Sequence, residues 1–363
     1  MALRYKEVRQ IILEMALQSP PHTRLPSRPQ MCQKYLTTRT TVDRAISELV
    51  EEGYLYSVTG SGTYVSDFSV NNTQIRNDYQ NIGVIVTSVM HDTYPSIIKG
   101  IEDVLEKVGM NAVICNTDNN QEKQNSYLRR LINSKVSGLI IVPTIDAKFE
   151  ESQELHLLLA GNRIPIVTCH RCFDGFRYPH ITTNNFYGGY LATKHLIQCG
   201  YRHIAYLSAI NYLVTRERYQ GYISALWEHG QEPEERAVHM AEMSANSVEI
   251  GYTIADDLIS KYKQVDAIVC FNDRIARGAI QAVKDRGKKV SDEIGIIGFD
   301  NTEACDIMPE KLTSISYNTY GIGQKAARMI VQQIQNPELP LQELTLFKPE
   351  VAVRESCLGK INC

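Results

Sequence analysis

The sequence contains no uninterrupted apolar run of the ~18–20 residues that a bilayer-spanning helix requires, so no membrane partner is expected. It has no G-x-G-x-x-G after its first apolar strand, where Val86-Thr87-Ser88-Val89 stands instead, and this removes the nicotinamide-dependent dehydrogenases. A phosphate-cradling P-loop and a G-x-S-x-G nucleophile elbow are also missing, so neither P-loop nucleotide hydrolases nor α/β-hydrolases have their motif here. An apolar signal core is absent at the N-terminus, because Arg4, Lys6 and Glu7 interrupt it at once; the chain is expected to stay in the cytoplasm. No sign of charge dominates, since the net charge is −3. The nine cysteines are odd in number and irregular in spacing, which argues against a disulfide framework. Cys169-His170-Arg171-Cys172 has the C-x-x-C form but lacks a second ligand pair at a metal-binding distance, so buried or strand-end thiols are expected, with no metal and no cofactor.

What is present is a chain of 363 residues, 43% apolar and 22% charged, long enough for two or three globular domains. Two kinds of text follow one another. Residues 1–66 read as three helices and a hairpin, whereas from Ile82 to residue 356 short apolar strands alternate with amphipathic helices. Residues 67–81 between them are polar, rich in Asn and Asp, and without period, as in a linker. No internal sequence repeat is visible. Residues 1–56 carry a net charge of +2, leaving −5 for the remainder.

In the head, Val8, Ile11, Ile12 and Met15 recur at helical spacing over 5–18, and Pro20-Pro21 ends that helix. A second, short helix opens at Ser27 as cap with Gln30 at the capping-box position, and ends near Leu36. A third begins at Thr37 or Thr38, buries Val42, Ala45, Ile46, Leu49 and Val50, and stops at Gly53. Its other face leads with Arg39, Thr40, Asp43 and Arg44. Such a helix enters the major groove, where Arg39 suits a guanine and Arg44, Thr40 and Thr41 suit phosphates. Strand text at 54–58 and 63–65 around Thr59-Gly60-Ser61-Gly62 makes a glycine-rich wing. The alternative reading is an ordinary solvated helix face.

These residues resemble the GntR family of bacterial regulators: Leu25-Pro26-Ser27-Arg28, Thr38-Arg39-Thr40-Thr41-Val42, Leu49-Val50-Glu51-Glu52-Gly53 and Gly60-Ser61-Gly62-Thr63-Tyr64-Val65 stand in the family's order. The resemblance implies contacts to double-stranded operator DNA at Arg28, Arg39, Thr40, Thr41, Arg44 and Gly62. Thr37-Thr38 departs from the usual Val-Ser of the turn.

In the body, strands are predicted at 82–87, 111–116, 138–142, 164–169, 204–208, 267–271 and 295–299. Helices are predicted at 97–108, 122–134, 186–199, 215–229, 248–261 and 275–286. This reads as two α/β units in series with a cleft at the strands' carboxyl ends. Those ends carry His91, Asp92, Tyr94, His170, Arg216, Arg218, Asn272, Asp273 and Asp300, groups that suit sugar hydroxyls. Tyr94 or Phe173 suits a sugar's apolar face, Asp273 is equally an N-cap, and Trp227 is expected to pack.

This part resembles the LacI-type effector domain, the fold of periplasmic sugar-binding proteins. The resemblance is carried by Gly138-Leu139-Ile140-Ile141-Val142-Pro143, Arg218-Tyr219-Gln220-Gly221-Tyr222, Phe271-Asn272-Asp273-Arg274, Gly298-Phe299-Asp300-Asn301 and Lys311-Leu312-Thr313-Ser314-Ile315. It implies sugar contacts at Arg218, Asn272 and Asp300, with His170 where a carboxylate is common. The hinge helix usual in that family is absent. A GntR-type head on a LacI-type body resembles the arabinose-repressor group of Gram-positive bacteria. That implies a sugar-responsive homodimer, with L-arabinose as the effector, or else another pentose, a deoxyhexose or a sugar phosphate. Repressor and activator are not separated by sequence. The expected fold is thus multidomain: an N-terminal winged helix-turn-helix and a C-terminal periplasmic-binding-protein-like α/β fold of two subdomains.

Overall fold

The structure, a computed structural model, describes residues 5–51, 54–58, 61–66, 80–90, 93–145, 164–173, 178–209, 213–233, 237–241, 247–338 and 344–358. The chain separates into two compact units, 1–79 and 80–363. The expected linker residues 67–79, the helix stop Gly53, and Thr59 and Gly60 of the wing lie outside the described residues, as do His91 and Asp92.

The head contains α1 (Tyr5–Gln18), α2 (Arg28–Lys34), α3 (Arg39–Glu51) and the antiparallel pair β1 (Leu55–Val58) and β2 (Gly62–Val65). Val42, Ala45, Ile46 and Leu49 form a stripe at helical spacing on α3 and are buried against Val8, Ile12, Leu25, Met31, Leu55 and Val65. Each of the Val, Ile, Leu and Met side chains contributes about 1.5–3 kcal/mol on leaving water. The Ser27 N–H donates to Gln30 Oε1 at 2.8 Å, fixing the entry to α2. Leu36, at φ 49°, turns the chain out of the helix. Thr38, the cap of α3, receives the Thr41 N–H at 3.4 Å.

The body is built on two six-stranded sheets. The first, in the order β13-β7-β6-β5-β3-β4, comprises β3 (Asn81–Val86), β4 (Asn111–Asn116), β5 (Gly138–Ile141), β6 (Ile166–Cys169), β7 (His180–Thr183) and β13 (Leu344–Phe347), all parallel. The second, β14-β12-β11-β10-β8-β9, comprises β8 (Ile204–Ala209), β9 (Val238–Ala241), β10 (Ala267–Cys270), β11 (Gly295–Phe299), β12 (Thr313–Ser316) and the antiparallel edge strand β14 (Glu350–Ala352). Helices α4 (Tyr94–Lys107), α5 (Gln121–Asn133), α6 (Asn185–Gln198), α7 (Leu213–Glu228), α8 (Ser247–Lys261), α9 (Asp273–Asp285), the short α10 (Ala304–Ile307) and α11 (Thr319–Gln335) accompany them. The central strands β3, β5, β10 and β11 are near-continuous apolar runs because helices cover both faces of a parallel sheet. One apolar cluster runs from Ile82, Val84 and Ile140 of the first lobe to Tyr206, Ile297 and Ile315 of the second.

Two expectations are corrected. The units are not simply in series: after β12 the chain returns to the first lobe through α11 and β13, and crosses back to β14. The lobes are therefore joined three times. Trp227 does not pack; it is 59% exposed and donates Nε1–H to Glu232 at 3.3 Å.

Three helix pairs touch through glycine. A Cβ on Gly189 of α6 would stand 2.0 Å from the Arg218 carbonyl oxygen of α7, and one on Gly221 would stand 2.0 Å from that of Phe186. Gly251 and Gly278 do the same for α8 and α9, and Gly100 and Gly323 for α4 and α11.

Candidate functional site: an effector cleft and a DNA-reading head

The candidate site residues lie beyond the carboxyl ends of strands in both sheets, where parallel α/β folds place ligands, with Arg218 added from α7. Arg218 of α7 is 2% exposed. Its Nε donates to Asn185 Oδ1 at 3.1 Å and its Nη1 to the Phe271 carbonyl at 2.6 Å. The guanidinium lies 3.4 Å from the Phe299 ring centroid and 4.6 Å from that of Phe271, so two aromatic faces shield it. Its Nη2 stands 3.7 Å from Asp300 Oδ1, an ion pair longer than a direct hydrogen bond.

Asp300 follows β11 with φ 107°, and Asn301 follows with φ 50°. Neither is glycine, so this bend is strained and must be held by its neighbours. The Asp300 N–H donates to the Ile315 carbonyl, the Asn301 N–H to Ser314 Oγ at 3.0 Å, and Tyr317 Oη–H to Asp300 Oδ1 at 3.0 Å. Burial and the Asp300 carboxylate push the Tyr317 hydroxyl well above its ordinary value, so it remains a donor.

His170 follows β6 of the first lobe with φ 63°. Its backbone is clamped by Ile181 and by the Thr182 hydroxyl. Its ring stacks on Tyr317 of the second lobe at 6.3 Å and 9°, and meets the edge of Tyr94 at 5.5 Å. Nδ1 is buried without a hydrogen-bond partner. Burial, then Arg171, Arg218 and His180, hold this imidazole well below its ordinary value, so it is neutral at pH 7.

The structure therefore brings Tyr94, His170, Arg218 and Asp300 into one chain of contacts. Asn272 stands at the mouth of α9, where Oδ1 accepts the Ile275 N–H at 2.9 Å, so it is the cap. Asp273 is buried instead among Ser314, Thr302 and Cys305, and holds the loops together. Arg216 is exposed on α7 and takes no part in the hydrogen bonds of Arg218. Phe173 is buried against Tyr178 in the first lobe's core. Tyr317, Asn185 and the rings of Phe271 and Phe299 escaped the sequence reading. Tyr317 stands in the Ser-Tyr that ends β12 and Asn185 in the Asn-Asn that opens α6, while Phe271 and Phe299 stand within Phe271-Asn272-Asp273-Arg274 and Gly298-Phe299-Asp300-Asn301.

His180 offers a pH test. Burial pushes it down to about 4, with Thr168 Oγ1 3.0 Å from its Nδ1. Between about 6.5 and 4 the unfolded chain holds a proton that the folded chain refuses, so stability falls as pH falls through that window. At pH 5.5 this contributes a loss of about 1.4 kcal/mol relative to pH 7.5. Denaturant unfolding at both pH values should show that loss shrink by the same amount in His180→Gln; an unchanged pH dependence would remove His180 as its source.

On the head, Arg39 and Arg44 are exposed on α3, at 79% and 68% of their side chains, beside exposed Thr40 and half-buried Thr41. Arg44 lies over the Tyr5 ring at 4.5 Å and pairs with Glu48 at 3.3 Å. Arg28 donates Nε–H to Asp43 Oδ1 at 2.5 Å. Gly62, at φ 147°, lies under Arg24, whose Nε would be 2.9 Å from an added Cβ. Arg24, which the sequence reading passed over, is exposed at the base of the wing, where its backbone bridges to Tyr64.

Residues 79–346 match the family described as "Periplasmic binding proteins and sugar binding domain of LacI family", and residues 4–65 match "Bacterial regulatory proteins, gntR family". The chain belongs to the LacI-type regulators, with a GntR-type head. It is a DNA-binding regulator and not an enzyme. The arabinose metabolism transcriptional repressor of Geobacillus stearothermophilus is 28% identical over 97% of both chains. Among solved structures, the transcription regulator CcpA of Lactococcus lactis is 25% identical, with a TM-score of 0.69 over 77% of this chain and 99% of that one. A LacI-family regulator of Enterococcus faecium with bound ribose is 26% identical, with a TM-score of 0.65 over 77% and 99%. Among the described residues no helix is long and apolar enough to cross a membrane.

Proposed function

We propose that this LacI-type regulator is a cytoplasmic repressor that binds double-stranded operator DNA as a homodimer and releases it when L-arabinose fills the cleft. Residues 1–66 serve as the DNA-binding domain, 67–81 as the linker and 82–356 as the effector and dimerisation domain. Arg28, Arg39, Thr40, Thr41, Arg44 and Gly62 face DNA; Asp92, Tyr94, His170, Arg216, Arg218, Asn272 and Asp300 face the sugar. The observation that carries this reading is the charge balance of the cleft. At its buried centre Arg218 is matched by Asp300 and His170 is neutral, which favours an uncharged polyol there over a phosphorylated one. The overall length match to a repressor of arabinose metabolism favours that pentose.

Sugar binding to one conformation must weaken operator affinity by the same factor that operator weakens sugar binding. The test is thermal unfolding with arabinose, ribose, xylose, fucose, galactose and ribose 5-phosphate, followed by operator release with whichever sugar stabilises. Arabinose at 100 times its Kd should add about 2.7 kcal/mol, a rise of several degrees. Stabilisation by ribose 5-phosphate alone would overturn the neutral-polyol reading.

A further inference from the structure

An acidic side chain stands on the face of α3 that the proposed DNA reading presents to the major groove. Asp43 lies one turn after Arg39 and is 43% exposed. A carboxylate there meets phosphates of its own sign, and an exposed ion pair returns at most about 1 kcal/mol, so stability is a weak reason for its presence. Its setting is not that of a loose surface charge. Arg28 Nε holds Oδ1 at 2.5 Å, while Nη1 of the same arginine reaches Thr63 Oγ1 on β2 at 3.4 Å. Arg39 Nε stands 3.6 Å from Oδ2. The carboxylate is thus aimed from α2 and the wing strand, compensated on two sides, and still open to solvent. Two oxygens offer about four acceptor sites, and the hydrogen bond from Arg28 occupies one.

We propose that Asp43 is a base-reading residue that accepts a hydrogen bond from the exocyclic amino group of an operator cytosine, with Arg28 as its positioning residue. This rests on the DNA-binding reading of the head. The major groove offers amino donors from cytosine N4 and adenine N6 only. Adenine sets its N7 acceptor beside that donor, where it would oppose the second carboxylate oxygen; cytosine sets a C–H there. Asp43 lies about 6 Å along the helix from Arg39, which is about two base steps of 3.4 Å. Arg39 on a guanine and Asp43 on a cytosine therefore fit one half-site. The compensation by two arginines explains how an acid is tolerated close to the phosphates.

The experiment is selection of bound duplexes from a randomised library by the full chain, with Asp43→Asn, Arg28→Met and Arg39→Ala beside the unaltered protein. The unaltered protein should select cytosine at one position per half-site, with roughly fivefold discrimination, the lower end for a side chain–base contact. Asp43→Asn should reduce discrimination at that position to about twofold, leave the other positions intact, and bind scrambled duplex no more weakly. Arg28→Met should broaden the same position and, because Arg28 also faces DNA, weaken all duplexes by a common factor while leaving the other base preferences intact. If Asp43→Asn keeps every base preference, or weakens all duplexes equally with preferences intact, the carboxylate is structural and the proposal falls. If the unaltered protein selects no sequence, the DNA-binding reading fails and takes this proposal with it; Arg39→Ala losing a different position would keep that reading while Asp43 is judged separately.

Discussion

Arg218→Met should abolish effector binding and lower stability by about 3–5 kcal/mol. The size follows from what is left behind. The side chain is 3% exposed, and three groups depend on it: Asn185 Oδ1, the Phe271 carbonyl and the Asp300 carboxylate. Methionine fills much of the volume between Phe271 and Phe299 but donates nothing, so the loss is one of unsatisfied acceptors rather than of packing. Asp300 would then lie at a strained φ beside Tyr317 without the Arg218 guanidinium. Denaturant unfolding measures the stability, and calorimetric titration with the stabilising sugar measures binding. The double change Arg218→Met with Asp300→Asn should regain part of the stability, because it removes the carboxylate charge that Arg218 had matched, while binding stays lost. A single variant that unfolds like the unaltered protein would show that Asp300 is solvated from the cleft and that the ion pair is incidental.

Gly189→Ala should cost about 3 kcal/mol, the upper end for overpacking, because the new methyl meets backbone rather than a movable side chain. Its neighbour is the carbonyl oxygen of Arg218 itself, 2.0 Å away. To accept the methyl, α7 must draw away from α6, and Arg218 travels with it. Sugar affinity should therefore fall together with stability, although residue 189 touches no cleft side chain. A variant destabilised to this extent but with unaltered sugar affinity would show that α7 shifts as a whole without moving the guanidinium.

How far the sequence carried this picture differs from place to place. Helices α1 and α3 and strands β4 and β11 were legible because period and punctuation agree there: Pro20-Pro21, the caps, and apolar runs bounded by polar turns. β7, β9, β12, β13, β14 and α11 were not picked out by that period. β13 alternates half-buried with exposed residues at a sheet edge, and its partner strand β7 lies far back in the chain, so its pairing has no local sign. In the cleft, Arg218 and Asp300 were found through motif resemblance. Tyr317 was not, since its part depends on a stack with His170, which lies on the other lobe. Arg39 was found and Arg24 missed for the same reason: the first sits on a helix whose face can be counted, the second beside a glycine that only the folded wing brings near.

The three crossings between lobes bear on the order in which the protein can be made. The first lobe begins at residue 81 but receives its last strand at 344–347, packed on β7, with the Thr183 hydroxyl donating to the Phe347 carbonyl at 3.2 Å. A nascent chain emerging from the ribosome cannot close that sheet until nearly its whole length is out, and the second lobe has most of its strands first. The lobe that starts earlier thus waits for a strand from the last twenty residues of the chain, just ahead of the edge strand β14 that finishes the other lobe. Until then its β7 edge stands open, and that half-built edge is where a slowed or truncated product would pair wrongly.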